Sequence, residues 1–172
     1  MKTILQTPRL LLRELIPDDL DFVTDMLAHP EVMRYYPKLY SRAEALQWLQ
    51  RQRKRYADHG HGLWLVLDRE AGHPVGQVGL IPQEVEGKIE PEIGYLIHRP
   101  FWRRGYATEA ALGVRRYAFE ERGYENVISL IRPENTPSQG VARKLGMTPA
   151  REILFKELRH LVFIVRRDEV NL

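Results

Sequence analysis

The run Pro100-Phe101-Trp102-Arg103-Arg104-Gly105-Tyr106-Ala107-Thr108-Glu109-Ala110 lies between a strand-like stretch and a strongly amphipathic one. Its residue types suit the binding of an anion. Gly105 removes a Cβ where a backbone must approach something closely, and Ala107 is the next smallest choice. Backbone N–H groups at a helix start are unpaired and sit at the positive end of the dipole, so they fit a phosphate or pyrophosphate. Arg103 and Arg104 add charge to the same rim. Spacing alone leaves a plain strand-to-helix turn with a surface Arg pair equally open. Two other chemistries find less support. His59 and His61 flank a glycine without further ligands at metal spacing, so a loop is expected there and no metal site. The chain has no cysteine, which excludes disulfides, a thiolate nucleophile and thiolate metal sites, and fits a reducing cytoplasm.

The elements around this segment follow from periodicity. Arg9 to Ile16 reads as a Leu-rich strand ended by Pro17, after which Asp18 and Asp19 open a helix carrying Leu20, Val23 and Leu27. Ser41 and Glu44 form a capping box for a second helix through Leu46, Trp48 and Leu49, which ends at Asp58 to Gly62. Leu63 to Asp68 and Val75 to Ile81 predict a hairpin, and Ile89 to His98 a further strand beyond the polar stretch Glu84 to Lys88. Ala107, Ala110, Ala111, Val114, Tyr117 and Ala118 share one stripe of a helix that ends near Gly123. Asn126 to Ile131 reads as a strand. Asn135 caps a helix stopped by Gly146, and Ile153 to Val165 reads as two strands turning near Leu158 to His160. The order β-α-α-β-β-β-α-β-α-β-β predicts an α/β layered fold with a mixed sheet.

A length of 172 residues, with 44% apolar and 28% charged, is ordinary for one soluble globular domain, expected here over residues 1–172. The amino-terminal run reaches charged residues too soon for a signal peptide, and no apolar run approaches membrane-spanning length, so a cytoplasmic protein without a membrane partner is expected. The net charge of +3 comes from scattered Arg and Lys with acids between them, which argues against nucleic acid as a partner.

The segment W-x-x-G-Y-A-T-E-A at Trp102 to Ala110 resembles the acetyl-CoA-binding motif of the GNAT acetyltransferases, Q/R-x-x-G-x-G/A, with Gly105 and Ala107 at the small positions. Two further segments agree in order and distance. Thr7 to Arg13 resembles the opening strand of the branch that includes the ribosomal-protein N-terminal acetyltransferases, and Asn135 to Met147 resembles its N-x-x-S-x-x-V-x-x-K-L-G-M motif. Trp102 departs from the Q/R of the general motif, so its side chain does not count as a phosphate ligand.

The resemblance implies acetyl-CoA as cosubstrate and direct acetyl transfer to a primary amine, either a protein N-terminus or a small molecule, by a monomer or homodimer. It implies a mostly antiparallel sheet of six to seven strands, splayed by a bulge between the fourth and fifth, with about four flanking helices. Arg103, Arg104, Gly105, Tyr106, Ala107 and Thr108 would form the pyrophosphate loop. The strand Tyr95-Leu96-Ile97 would pair its backbone with pantetheine and supply an oxyanion-binding N–H. Asn135 would hydrogen-bond the same arm. Glu92 resembles the strand glutamate that takes the amine proton, although a strand-surface carboxylate fits it as well. The tyrosine acid of other members falls at Ala142, leaving that role vacant. Ser138 resembles the serine used instead on the leaving sulfur, while an everyday capping role stays open. Arg34, Tyr35, Tyr36 and Tyr40 lie where such folds build the acceptor pocket. A non-catalytic acyl-CoA-binding module is the alternative; retained Glu92, Ser138 and Asn135 argue against it.

Overall fold

The computed structural model describes residues 2–172. It begins with two short strands, β1 (Thr3–Gln6) and β2 (Leu10–Arg13). Leu10 and Leu12 are fully buried while their neighbours face outward, the alternation expected of a half-buried strand. The expected strand to Ile16 stops early because Arg13 turns to a bidentate pair with Asp19, at 2.8 Å on both arms. Asp19 also accepts from the Ile16 amide at 2.8 Å, which tucks the chain into the turn before α1 (Leu20–Leu27). β1 was not anticipated. It is a four-residue edge strand with partly exposed side chains, too short to carry a period of its own.

Helix α2 (Arg42–His59) starts at the expected capping box, in which the Glu44 amide donates to Ser41 Oγ and the Ser41 amide to Glu44 Oε2. It ends at Gly60, whose φ of 78° is left-handed. β3 (Leu63–Asp68), β4 (Pro74–Val85) and β5 (Lys88–Ile97) follow. The polar stretch at Glu84 to Lys88 proves to be a two-residue turn rather than a loop, with Glu86 and Gly87 both at positive φ, so β4 and β5 pair from Gly76↔Ile97 to Val85↔Lys88. Then come α3 (Tyr106–Glu120), β6 (Asn126–Ile131), α4 (Thr136–Lys144), β7 (Thr148–Phe155) and β8 (Leu158–Arg166). The β7–β8 turn falls at Lys156–Glu157, earlier than expected; neither residue type favours the positive φ it adopts, so nothing local marked the place.

All eight strands join one sheet in the order β1-β2-β3-β4-β5-β6-β8-β7. That is one strand more than the upper expectation; the four helices agree. Helices α3 and α4 cover one face through Ala110, Val114, Ala118 and Ala142, and α1 and α2 the other through Met26, Leu27 and Leu49. Among the described residues only β5 and β6 run parallel, and they bridge at a single position, Glu92↔Ile128. Beyond it the strands part as expected, but without the expected bulge: β5 keeps an unbroken register with β4. The parting arises because each strand follows its own antiparallel neighbour, β5 with β4 and β6 with β8. Side chains span the gap. Ser129 Oγ donates to the Ile93 carbonyl at 2.7 Å and the Leu130 amide to Glu92 Oε2 at 2.9 Å.

Candidate active site

After β5 the chain makes a short turn and enters α3 through Trp102-Arg103-Arg104-Gly105. Arg103 sits at φ 60° and Gly105 at φ 76°, and these left-handed positions fold the backbone into a concave turn. Surrounding groups fasten it. The Trp102 indole N–H donates to the Ile97 carbonyl at 2.7 Å, Arg9 Nη1 donates to the Arg104 carbonyl at 2.8 Å, and the Tyr106 hydroxyl donates to Asp68 at 2.6 Å. The Trp102 amide donates to the Arg99 carbonyl, and the next amide to find a backbone acceptor is that of Glu109, on Gly105. Among the described residues, the amides of Arg103 through Thr108 donate to no protein acceptor. They point from the positive end of α3, with exposed Arg103 and Arg104 beside them. Such a row suits the oxygens of a pyrophosphate.

Arg9 is a supporting residue that sequence reasoning missed. It also braces Glu109, whose Oε1 accepts from Thr7 Oγ1 and the Arg9 amide and whose Oε2 accepts from Arg9 Nε at 2.6 Å. Burial alone would raise the Glu109 carboxyl; Thr7 and Arg9 outweigh it and hold the group below the usual carboxylate range. Glu109 therefore ties the opening strands to α3. Glu109→Ala is expected to cost about 2 kcal/mol, from charge-assisted hydrogen bonds of which one donor is a guanidinium, and so to lower the melting temperature by about 4–8 °C. A melting curve measures this, and the pH dependence of any residual activity should stay unchanged.

The open edge of β5 faces the gap. The His98 amide donates to the Val75 carbonyl, and alternation from that bond turns the backbone of Leu96 to β4 and the backbones of Tyr95 and Ile97 to the cleft. The Ile97 carbonyl is taken by Trp102. The Tyr95 N–H and C=O and the Ile97 N–H are thus the groups a peptide-like arm would meet. Leu96 departs from the expectation: only its side chain reaches the cavity.

That cavity, of about 260 Å³, lies between β5, β6, α2 and the start of α4. It brings together Tyr35, Tyr36, Tyr40, Glu92, Tyr95, Asn135 and Ser138, which are widely separated along the chain. Arg34 is not among its lining residues; it is exposed, with its guanidinium over the Tyr35 ring at 5.6 Å. Its place is taken by Arg51 and Arg55 of α2, which were not anticipated. The helical spacing of Trp48, Gln52 and Arg55 carried that signal, since all three share one face.

Glu92 is 8% exposed. Oε1 accepts from Gln83 Nε2 at 3.0 Å and Oε2 from the Leu130 amide. Burial pushes its carboxyl above the usual range, against the pull of those two donors and of Arg55. The phenol of Tyr95 is raised first by burial and then by the charge of Glu92. Asn135 Oδ1 accepts from the Ser138 amide at 3.2 Å, so its side chain caps α4. Ser138 Oγ makes no protein hydrogen bond among the described residues, while the Ser138 carbonyl accepts from the Tyr95 hydroxyl at 2.6 Å. Ala142, where a tyrosine acid would stand, is fully buried. His59 ends α2 and His61 lies in the expected loop, where its ring is buried, with Nδ1 on the Leu80 carbonyl and Nε2 on the Tyr124 hydroxyl. No group of three potential metal-ligating residues is found among the described residues, and no described helix is long and apolar enough to cross a membrane.

Residues 9–148 match the family model described as Acetyltransferase (GNAT) domain. The chain is 35% identical over 153 residues to the uncharacterized protein YkkB of Bacillus subtilis, covering 88% of this chain and 89% of that one. It superposes on the acetyltransferase from Agrobacterium tumefaciens str. C58 with a TM-score of 0.84, 28% identity, and coverage of 97% and 95% of the two chains. It shares its fold with the spermidine N-acetyltransferase of Vibrio cholerae, solved with CoA and spermine, at a TM-score of 0.77, 16% identity, and coverage of 95% and 98%.

Proposed function

The chain belongs to the GNAT acetyltransferase family, and on that basis we propose that it transfers acetyl from acetyl-CoA directly to a primary amine, as a single domain over residues 1–172. The observation that carries this reading is the row of unpartnered amides from Arg103 to Thr108, opening beside a gap between two strands. Those amides hold the pyrophosphate, and the free backbone groups of Tyr95 and Ile97 align the pantetheine arm. The Asn135 side-chain amide, whose oxygen caps α4, keeps its Nδ2 for the same arm. Acetyl-CoA supplies an activated acyl group. What the protein adds is position and proton handling.

Glu92 takes the proton of the incoming amine, directly or through one water. Its raised pKa suits the task, because a base works best when its pKa lies near the operating pH. As the nitrogen–carbon bond forms and the carbon–sulfur bond breaks, an N–H of Tyr95 or Ile97 donates to the developing oxyanion. Ser138 Oγ, free of other bonds, donates to the departing sulfur. Fidelity to the N-x-x-S-x-x-V-x-x-K-L-G-M pattern supports a place beside the ribosomal-protein N-terminal acetyltransferases. The CoA found with the Vibrio cholerae enzyme supports CoA as the cosubstrate.

Mixing the protein with acetyl-CoA and a panel of amines while following free thiol tests the reading. Amine-dependent thiol release is expected, and binding without turnover across the panel would favour a non-catalytic module. Ser138→Ala should lower kcat by about tenfold to a hundredfold, the worth of one hydrogen bond to a charged group, while leaving acetyl-CoA affinity within about twofold. Wild-type turnover would return Ser138 to a structural role.

A further inference from the structure

We infer that the acceptor is an amine bearing a carboxylate a few bonds from its nitrogen, and that Arg55 binds that carboxylate. This rests on the acetyltransferase reading above and concerns only the acceptor half of the cleft. Four cations, Arg51, Arg55, Arg132 and Lys156, line the cavity, against one carboxylate among the described lining residues, Glu92. Both oxygens of Glu92 already accept, from Gln83 Nε2 and the Leu130 amide, so it forms no ion pair with any of the four. Arg132 has an exposed partner in Glu134 at 3.6 Å. Arg55 has no acidic partner within ion-pair distance among the described residues; its Nη1 donates to Gln52 Oε1 at 3.2 Å.

Gln52 is 1% exposed, and the same Oε1 accepts from the Leu63 amide at 3.0 Å. A neutral, pinned amide therefore aims the guanidinium without neutralising it. Burial first, and then the like charge of Arg51, disfavours the charged form of Arg55. A half-buried guanidinium in such surroundings lacks an anion, and its planar fork matches a carboxylate in two parallel hydrogen bonds. Arg55 and Glu92 line one cavity of about 260 Å³, so the amine and the carboxylate they serve sit within a single acceptor. A polycation entering the same space meets like charge on several sides, which selects against it. The carboxylate can belong to a free amino acid or to an acidic residue just behind a peptide's N-terminus.

Both sources are tested with acetyl-CoA saturating. One arm compares free amino acids with their carboxamides; the other compares peptides carrying Asp or Asn at the second position; spermidine is the polycation probe. The acid member is expected to exceed its neutral partner in kcat/KM by about tenfold or more in one arm, which identifies the source, with spermidine poorest. Arg55→Ala should raise KM for the acid by about tenfold and change KM for the neutral partner far less, while any fall in kcat from losing a charge beside Glu92 is shared by both partners; Arg55→Lys should restore part of the loss. Equal use of acid and neutral members, a preference for spermidine, a KM change common to both partners, or no acetylation anywhere in the panel would overturn the inference. Wild-type protein that fails to bind acetyl-CoA in calorimetry would instead remove the acetyltransferase reading, and this acceptor with it.

Discussion

Gly105→Asp is expected to abolish measurable acetyl-CoA binding. Two effects add. A Cβ at φ 76° strains the backbone by about 1 kcal/mol and lies 3.3 Å from Arg9 Nη2, which has to give way. The larger effect is charge. A carboxylate about 4 Å from a phosphate charge, at the effective dielectric of a protein surface, is repelled by about 4 kcal/mol, or roughly three decades in affinity. Arg9 offsets this only in part, because its Nε is held by Glu109 and its Nη1 by the Arg104 carbonyl. Gly105→Asn carries comparable bulk without the charge and tolerates left-handed backbone, so it should lose far less. Calorimetric titration of both variants with acetyl-CoA separates the terms. Unaltered affinity in Gly105→Asp would mean that the turn holds no phosphate.

Glu92→Gln is expected to reduce kcat/KM at neutral pH by about 100-fold to 10,000-fold, the usual contribution of a positioned base. The pH profile should also move. In the wild type, activity rises as the buried carboxyl, shifted above its ordinary value, gives up its proton. Without that base the rate follows the neutral amine, and an α-amino group of pKa about 8 is only about one-tenth neutral at pH 7. The rise in Glu92→Gln should therefore lie at higher pH. The glutamine oxygen can still accept from the Leu130 amide, and Gln83 is partly exposed and free to turn, so the gap should survive. The folded state binds the Glu92 proton more tightly than the unfolded chain does, so this group's share of stability is present at low pH and lost as pH rises through its raised pKa. Glu92→Gln should remove that decline, which melting temperatures across the pH range would record. An unchanged rate profile would leave Glu92 a strand carboxylate.

Much of the architecture was legible from local chemistry. The Ser41–Glu44 box, the alanine stripe of α3, Gly105 ahead of a helix and Asn135 at a cap each act within one turn of chain, so residue type alone specifies them. Spacing among Gly105, Ala107, Asn135 and Ser138 carried the family, because the cofactor cradle we propose would be built from short segments whose backbone does the binding. Turns without a marked residue type, such as Lys156–Glu157, and the edge strand β1 were illegible for the opposite reason.

Other features depend on contacts distant in sequence, and only the tertiary structure decided them. Arg9 meets Glu109 across 100 positions, and Leu130 meets Glu92 across 38. The parting of β5 from β6 depends on which neighbour each strand follows. The acceptor wall was mistaken in sequence for the same reason. Arg34 sits nearest the tyrosines along the chain, yet it points to solvent, while the packing of α2 on the sheet brings Arg55 toward Glu92. Local propensity sets which backbone is helix or strand; the burial of one element's face against another sets which charges are left facing a cavity.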